Sequence, residues 1–86
     1  MKIKDIFTIE EIDGKVFMVC LDSSVLSGMI ELNETAAFIA KCLSEDTTPE
    51  EIANKVSEEY DVTPEEALIG VQQMISQFRE IRVIED

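Results

Sequence analysis

One short stretch divides this chain into two kinds of sequence. Residues 29–32 alternate apolar and polar side chains, which is typical of a half-buried strand. Asn33 follows, and its side-chain oxygen suits a helix N-cap because it can accept a hydrogen bond from an unpaired amide of the first turn. From Glu34 onward, apolar residues recur at helical spacing. The sequence therefore predicts strands before this joint and helices after it.

Two strands are predicted ahead of residues 29–32. Residues 4–12 are rich in β-branched and aromatic side chains, and residues 15–21 are apolar on both faces. The Asp13-Gly14 pair between them is a strong hairpin signal, because Gly14 accepts a positive φ and Asp13 tolerates one. One face of the second strand is expected to meet the helices, and the other face needs a cover.

Three helices are predicted at about residues 34–44, 49–60 and 64–80. The last two begin with the same four residues, Thr-Pro-Glu-Glu, which place Thr at the N-cap, Pro at the first helical position and Glu at the third. The third helix has an apolar stripe that is expected to face the core: Ala67, Val71, Met74, Phe78 and Ile81. Residues 81–86 could add a short closing strand.

This order predicts one α+β domain over residues 1–86. The expected architecture is winged-helix-like, with a three-stranded antiparallel sheet followed by a three-helix, helix-turn-helix-like bundle. Eighty-six residues leave little room for a second core.

The charge excludes several kinds of partner. Seven Lys and Arg residues against nineteen Asp and Glu residues give a formal net charge of −12. Nucleic acid and anionic membranes are therefore not expected to bind, because both require basic residues. The longest apolar run, residues 16–21, is far too short to span a bilayer, and no signal-peptide core follows the N-terminus. A cytoplasmic protein is expected.

Residues for enzymatic chemistry are sparse. The chain has no His and no paired Cys motif, so neither a zinc site nor another metal site is predicted. Cys20 and Cys42 are expected to be buried free thiols, with a disulfide between them as the alternative. The carboxylates cluster at helix N-termini, where capping explains them. No catalytic residue and no cofactor are predicted.

Two functional alternatives remain open. The Asp22-Ser23-Ser24 segment resembles the phosphopantetheine attachment site of acyl carrier proteins, although a polar loop explains it better because it follows a strand rather than opening a helix. A regulatory winged-helix protein that acts through protein contacts is the stronger alternative. Its third helix would be a poor DNA reader, because Arg79 is its only cation among several glutamates.

A polypeptide is the partner that the residues favour. The short strand at residues 29–32 follows a flexible loop, and an open sheet edge can recruit an extended peptide by backbone hydrogen bonding. Leu68 and Ile75 form a second apolar row on the third helix that could line a pocket beside this edge. Alternatively, this row is ordinary core or the contact of a homodimer.

A family resemblance supports the peptide interpretation. Leu32-Asn33-Glu34-Thr35-Ala36, followed by Thr48-Pro49-Glu50-Glu51-Ile52 and Glu59-Tyr60-Asp61-Val62, resembles the PqqD-like family, also called the RiPP precursor peptide recognition element. The likeness extends over about residues 5–84. It implies a non-catalytic module that binds the leader segment of a precursor peptide. The module would act as a peptide chaperone for a modifying enzyme, often a radical S-adenosylmethionine protein.

The resemblance also implies where the leader binds. The leader would add as a strand beside Met29, Ile30 and Glu31 and lie against the third helix. The helix contacts expected from topology are Leu68, Val71, Gln72, Ile75 and Arg79. One departure concerns the end of this helix, where family members commonly have a glycine and this chain has Glu80-Ile81-Arg82.

Overall fold

The computed structural model describes residues 1–86 and has an α+β, winged-helix-like fold. A three-stranded antiparallel sheet of order β2-β3-β4 has one face toward a core that it shares with three helices. In chain order the elements are β1 (Lys2–Ile3), β2 (Phe7–Ile12), β3 (Lys15–Cys20), β4 (Met29–Leu32), α1 (Glu34–Cys42), α2 (Pro49–Glu59), α3 (Pro64–Glu80) and β5 (Ile84–Glu85).

The N-terminal strand differs from the expectation of one strand over residues 4–12. Strand β2 begins only at Phe7, because a turn precedes it in which the Phe7 amide donates to the Lys4 carbonyl at 3.0 Å. Before this turn, β1 pairs with β5 in a separate two-stranded sheet, with Ile3 opposite Ile84. The tail therefore contains the expected short strand, and its partner β1 was not predicted.

Strand β4 and helix α3 have the predicted bounds, and the other differences are small. Strand β3 ends one residue earlier than predicted, α1 two residues earlier and α2 one residue earlier. Helix and strand ends depend on individual hydrogen bonds, which hydrophobic periodicity does not resolve.

The hairpin between β2 and β3 has the predicted turn. Asp13 and Gly14 both have positive φ, 52° and 80°, as a type I′ turn requires. In a two-residue hairpin the flanking residues, Ile12 and Lys15, form a hydrogen-bonded pair. Because successive residues of a strand point their backbone groups in opposite directions, every second residue of β3, counted from Lys15, points toward β2. The Leu21 amide belongs to this set and donates to the Ile6 carbonyl at 2.6 Å.

All three predicted N-caps are confirmed. The side chain of Asn33 accepts from the Ala36 amide at 2.8 Å, while the Thr48 and Thr63 hydroxyls each accept from the amide three residues ahead at 3.2 Å. The reciprocal half of the expected capping box is not formed at Thr48. Instead, the Glu51 carboxylate accepts from the hydroxyl of the buried Thr47 at 2.9 Å.

The core lies between the inner face of the sheet and the helices. Its fully buried large side chains are Met18, Ile39, Leu43, Ile52, Val71 and Val83. On α3 the stripe differs in part from the prediction, since Ile75 is buried while Met74 is only half-buried and Ile81 is 37% exposed. The buried stripe of α3 is therefore rotated toward Ile75 relative to the prediction.

Helix α3 ends in a Schellman motif without glycine. The Val83 amide donates to the Phe78 carbonyl at 2.9 Å, and the Arg82 amide donates to the Arg79 carbonyl at 3.0 Å. Arg82 takes the left-handed position with a φ of 62°. Burial of Val83 against the core stabilises this termination, so the helix ends cleanly although the usual glycine is absent.

We predict that Arg82→Gly stabilises the fold by about 1 kcal/mol, because glycine removes the steric cost of a left-handed residue. Urea unfolding followed by circular dichroism measures the change. The matched control is Gln73→Gly, an exposed position within α3, which is expected to destabilise by about 0.5–1 kcal/mol. A destabilised Arg82→Gly variant would contradict this account of the helix end.

Candidate functional site

Strand β4 is an open edge of the sheet. It pairs only with β3, and residues 29–32 make no backbone hydrogen bond outside the sheet. Since Lys15 and every second residue after it point their backbone groups toward β2, the residues between them, including Met18, point theirs toward β4. Met18 lies opposite Ile30. The backbone N–H and C=O groups of Ile30 therefore point into the sheet. Those of Met29 and Glu31 point outward and are available to another strand.

A groove runs between this edge and helix α3. It has a volume of about 370 Å³ and a mainly apolar lining. The apolar residues come from β4, α1 and α3: Ile30, Leu32, Ala36, Met74, Phe78 and Ile81. The polar residues are Glu31, Asn33, Gln77 and Glu80, which carry two negative charges and no positive charge. The groove thus offers an extended chain a free strand edge and apolar contacts.

The Asn33 N-cap positions this groove. Because α1 begins directly after β4, the first turn of α1 lies at the end of the strand and contributes Ala36 to the lining. The cap bond between Asn33 and Ala36 fixes the angle between strand and helix.

The structure places Met29, Ile30 and Glu31 together at the groove edge. Met29 is 56% exposed, Glu31 is exposed and Ile30 is half-buried against the core. These three predicted positions therefore share the free edge.

The five predicted α3 residues lie elsewhere, and none of them lines this groove. Val71 and Ile75 belong to the core, and Gln72 faces solvent. Leu68 lines a small depression against α2, beside Ala53 and Pro64.

Arg79, the remaining predicted contact, is held by the C-terminal tail. Its guanidinium contacts both carboxylate oxygens of Asp86, at 2.6 and 2.8 Å. This ion pair lowers the pKa of the Asp86 carboxyl, mainly through the hydrogen bond to Arg79.

The helix face beside β4 is formed by Met74, Gln77 and Ile81. At about 100° per residue, this face lies about 140° around the helix from the predicted one. The buried stripe of α3 includes Val71 and Ile75 and lies between this face and the other predicted contacts, Leu68, Gln72 and Arg79. Hydrophobic periodicity locates the core but does not tell which flank of the helix lies next to β4.

A second apolar hollow adjoins the groove. It measures about 330 Å³ and lies among the three helices, with Met74 shared between the two spaces. Its wall includes Tyr60, whose ring packs edge-on against Phe38 at a centroid distance of 5.7 Å. Partial burial, reinforced by the nearby Glu34 carboxylate, raises the pKa of the Tyr60 hydroxyl. Its phenol is therefore neutral at physiological pH.

The other candidate residues form no comparable site. Cys20 and Cys42 are free thiols as expected, but they are partly rather than fully buried. Burial raises the pKa of the Cys42 thiol, which makes it a weaker nucleophile. Ser24 lies in an exposed loop, where its hydroxyl donates to the Asp22 carboxylate at 2.6 Å.

No group of three or more His, Cys, Asp or Glu side chains is arranged to hold a metal ion. None of the three helices combines the length and hydrophobicity that crossing a bilayer requires.

Solved structures share this fold over nearly the whole chain. One is TbiB1 in complex with the TbiA(beta) leader peptide, with a TM-score of 0.82 and 24% identity over 99% of this chain and 95% of that one. Another is lasso peptide synthetase B1 complexed with the leader peptide, with a TM-score of 0.79 and 19% identity over 99% of this chain and 96% of the other. No curated protein matches the sequence.

A family model identifies the chain more directly than these fold neighbours do. The model described as coenzyme PQQ synthesis protein D (PqqD) matches residues 15–84, which include β3, β4, all three helices and the first residue of β5. The match therefore spans the strand edge, the groove and the Asn33 joint between them. This chain belongs to the PqqD family.

Proposed function

We propose that this protein is a non-catalytic leader-peptide-binding module that presents a ribosomally made precursor peptide to a modifying enzyme. The observation that carries the proposal is the free edge of β4, with the outward backbone groups of Met29 and Glu31 beside an apolar groove. Family membership supports it. Two proteins of the same fold were solved in complex with leader peptides, which is consistent with a peptide in this position here.

In this proposal the leader adds to the sheet as a fourth strand. Backbone hydrogen bonds to Met29 and Glu31 give affinity that depends little on the peptide sequence. Alternate side chains of the leader point into the groove, because successive residues of a strand face opposite sides. Selectivity then comes from the fit of these side chains to the groove.

The predicted strand contacts are kept in this proposal, while the helix contacts are moved. We assign the helix side of the groove to Met74, Gln77 and Ile81, because these residues line it. The alternative is the set of contacts expected from topology at Leu68, Val71, Gln72, Ile75 and Arg79, of which Gln72 is the one whose replacement distinguishes the two assignments.

Charge adds to the selectivity. Glu31 and Glu80 line the groove, no Lys or Arg belongs to its lining, and the chain carries a net charge of −12. A leader with Lys or Arg near the bound segment is favoured over an acidic leader, and its affinity should fall as salt screens the attraction.

The module would act by raising the local concentration of substrate. A leader held on β4 leaves the core peptide tethered, so that its encounter with the enzyme becomes effectively intramolecular. We place this step in the cytoplasm, with a radical S-adenosylmethionine protein as the modifying enzyme. In this role the module itself needs no catalytic residue.

We predict that Glu31→Pro weakens leader binding at least about tenfold. Proline removes an amide that points outward from β4, so one backbone bond to the leader is lost while the bonds to β3 remain. Fluorescence anisotropy with a labelled leader peptide measures the affinity.

The matched control is Glu11→Pro. Glu11 is also an exposed glutamate, and the same alternation directs its amide outward from β2, the opposite edge of the sheet. Its leader affinity should stay within about twofold of wild type. Equal losses in both variants, or a loss confined to Glu11→Pro, would place the peptide away from β4. Glu31→Ala, which keeps the amide, separates the effect of the backbone from that of the side chain.

We also predict that Ile81→Ser weakens leader binding about fivefold or more, because a groove-lining apolar contact is lost. Ile69→Ser is the control, since Ile69 is 61% exposed on α3 and does not line this groove. Isothermal titration calorimetry with the same leader measures both variants.

Gln72→Ala tests the helix face that topology suggested. Gln72 is exposed and lies outside the groove, so its replacement should leave the affinity unchanged. A larger loss in Gln72→Ala than in Ile81→Ser would return the helix contacts to the face of Leu68 and Arg79.

A further inference from the structure

The outer face of the three-stranded sheet carries apolar side chains that no helix covers. We call it the outer sheet face and define its apolar part as Ile12, Phe17, Val19, Leu21 and Met29. The pleat and register place these residues on one side, with Phe17 opposite Glu31 and Val19 opposite Met29. The sheet residues that pack against the core lie on the other side, among them Ile9, Val16 and Ile30.

This face is strongly exposed for an apolar surface. Leu21 is 68% exposed, Met29 56% and Ile12 48%, so three of the seven large hydrophobic residues exposed on the whole chain belong to it. Contiguous exposed apolar surface on a small protein commonly marks an interaction site. Strand β3 has apolar residues on both faces, and the helices cover only one of these faces.

The charges around the face restrict what can cover it. Glu10 and Glu31 flank Phe17 from the two neighbouring strands, and Lys15 is the one basic residue of the strands on this side. A second copy of the chain would bring these glutamates together and would join two molecules that each carry −12. A partner with apolar side chains surrounded by Lys and Arg fits the face better.

The face is continuous with the proposed peptide site. Met29 and Glu31 contribute their backbone to the free edge of β4 and their side chains to this face. A leader strand added to β4 would extend the same sheet, and every second leader residue would join the outer sheet face. A protein seated there would contact the module and the bound leader at once.

We propose that the outer sheet face is where the module docks on the modifying enzyme, through an apolar patch with a basic rim on that enzyme. This inference rests on the proposed leader-binding function. It assigns the two sides of the molecule different tasks, since the groove side holds the leader and the outer sheet face holds the enzyme. Bound leader would then strengthen docking, because it adds contact surface.

The experiment uses the full chain, its precursor leader and the radical S-adenosylmethionine protein that we propose as the modifying enzyme. The double variant Ile12→Asp/Leu21→Asp should weaken the enzyme's affinity for the leader-loaded module at least about tenfold, measured by biolayer interferometry. Its affinity for the leader alone should stay within about twofold of wild type. Circular dichroism checks the fold, and Ile12→Ser/Leu21→Ser provides a milder variant that should show the same order of effects.

The control Ile69→Asp introduces a single Asp at a comparably exposed apolar residue on α3, so it is compared with the single variant Leu21→Asp as well as with the double variant. It should leave docking unchanged. A charge test uses Glu10→Gln, which should slow association and reduce its salt dependence, with the exposed Glu58→Gln of α2 as its control.

Three results would overturn the proposal. The first is enzyme binding that the outer-face variants leave intact, and the second is an equal loss in Ile69→Asp. The third is a wild-type dimer in sedimentation that Ile12→Asp/Leu21→Asp dissociates, because the face would then join two copies. Failure of the wild-type module to bind its leader is a different result, which would refute the proposed function itself.

Discussion

The hydrogen bond between the Ala36 amide and the Asn33 side chain, at 2.8 Å, joins the two halves of the molecule. It starts α1 directly after β4, so the strand is only four residues long and no further strand follows to cover its edge. It also brings the first turn of α1 to one end of the groove that α3 closes along its length. An open strand edge and an apolar groove are therefore consequences of the same joint.

An open edge is a hazard that this sequence limits in several ways. Unpaired backbone groups on a strand can recruit other copies and lead to aggregation. Here the edge is short, Glu31 lies at its centre, and the net charge of −12 makes neighbouring copies repel one another. The same acidity leaves the edge accessible to a chain of opposite charge. Protection against self-association and selection of a basic partner thus follow from one property.

Most of the architecture is encoded locally and could be predicted from the sequence. The two Thr-Pro-Glu-Glu segments mark the starts of α2 and α3, and Asp13-Gly14 sets the hairpin register. Strand β1 was missed because a two-residue strand carries no periodic signal and depends on a partner more than 80 residues away. The form of the α3 terminus could not be predicted, because a left-handed arginine is unusual and depends on the burial of Val83.

The elements that line the groove could be predicted from the sequence only in part. Alternation and the capping preference of Asn33 predict β4 and the start of α1, but periodicity marks only the core stripe of α3 and does not tell which side of the helix lies next to β4. Only the three-dimensional packing shows that Met74 and Ile81 lie beside β4 and that Ile75 lies in the core. The outward direction of the Met29 and Glu31 amides likewise follows from the pairing of Ile30 with Met18. The sequence does not determine this pairing, because the loop between β3 and β4 is too long to fix the register of the two strands.

Hydrogen exchange at single amides, with and without saturating leader peptide, tests strand addition most directly. The Ile30 and Leu32 amides, which already bond to β3, should be protected in both states. The Met29 and Glu31 amides should exchange quickly in the free protein and become protected when leader binds, while the outward amides of Ile9 and Glu11 on the opposite edge stay unchanged. Unchanged exchange at Met29 and Glu31 in the saturated complex would contradict the account.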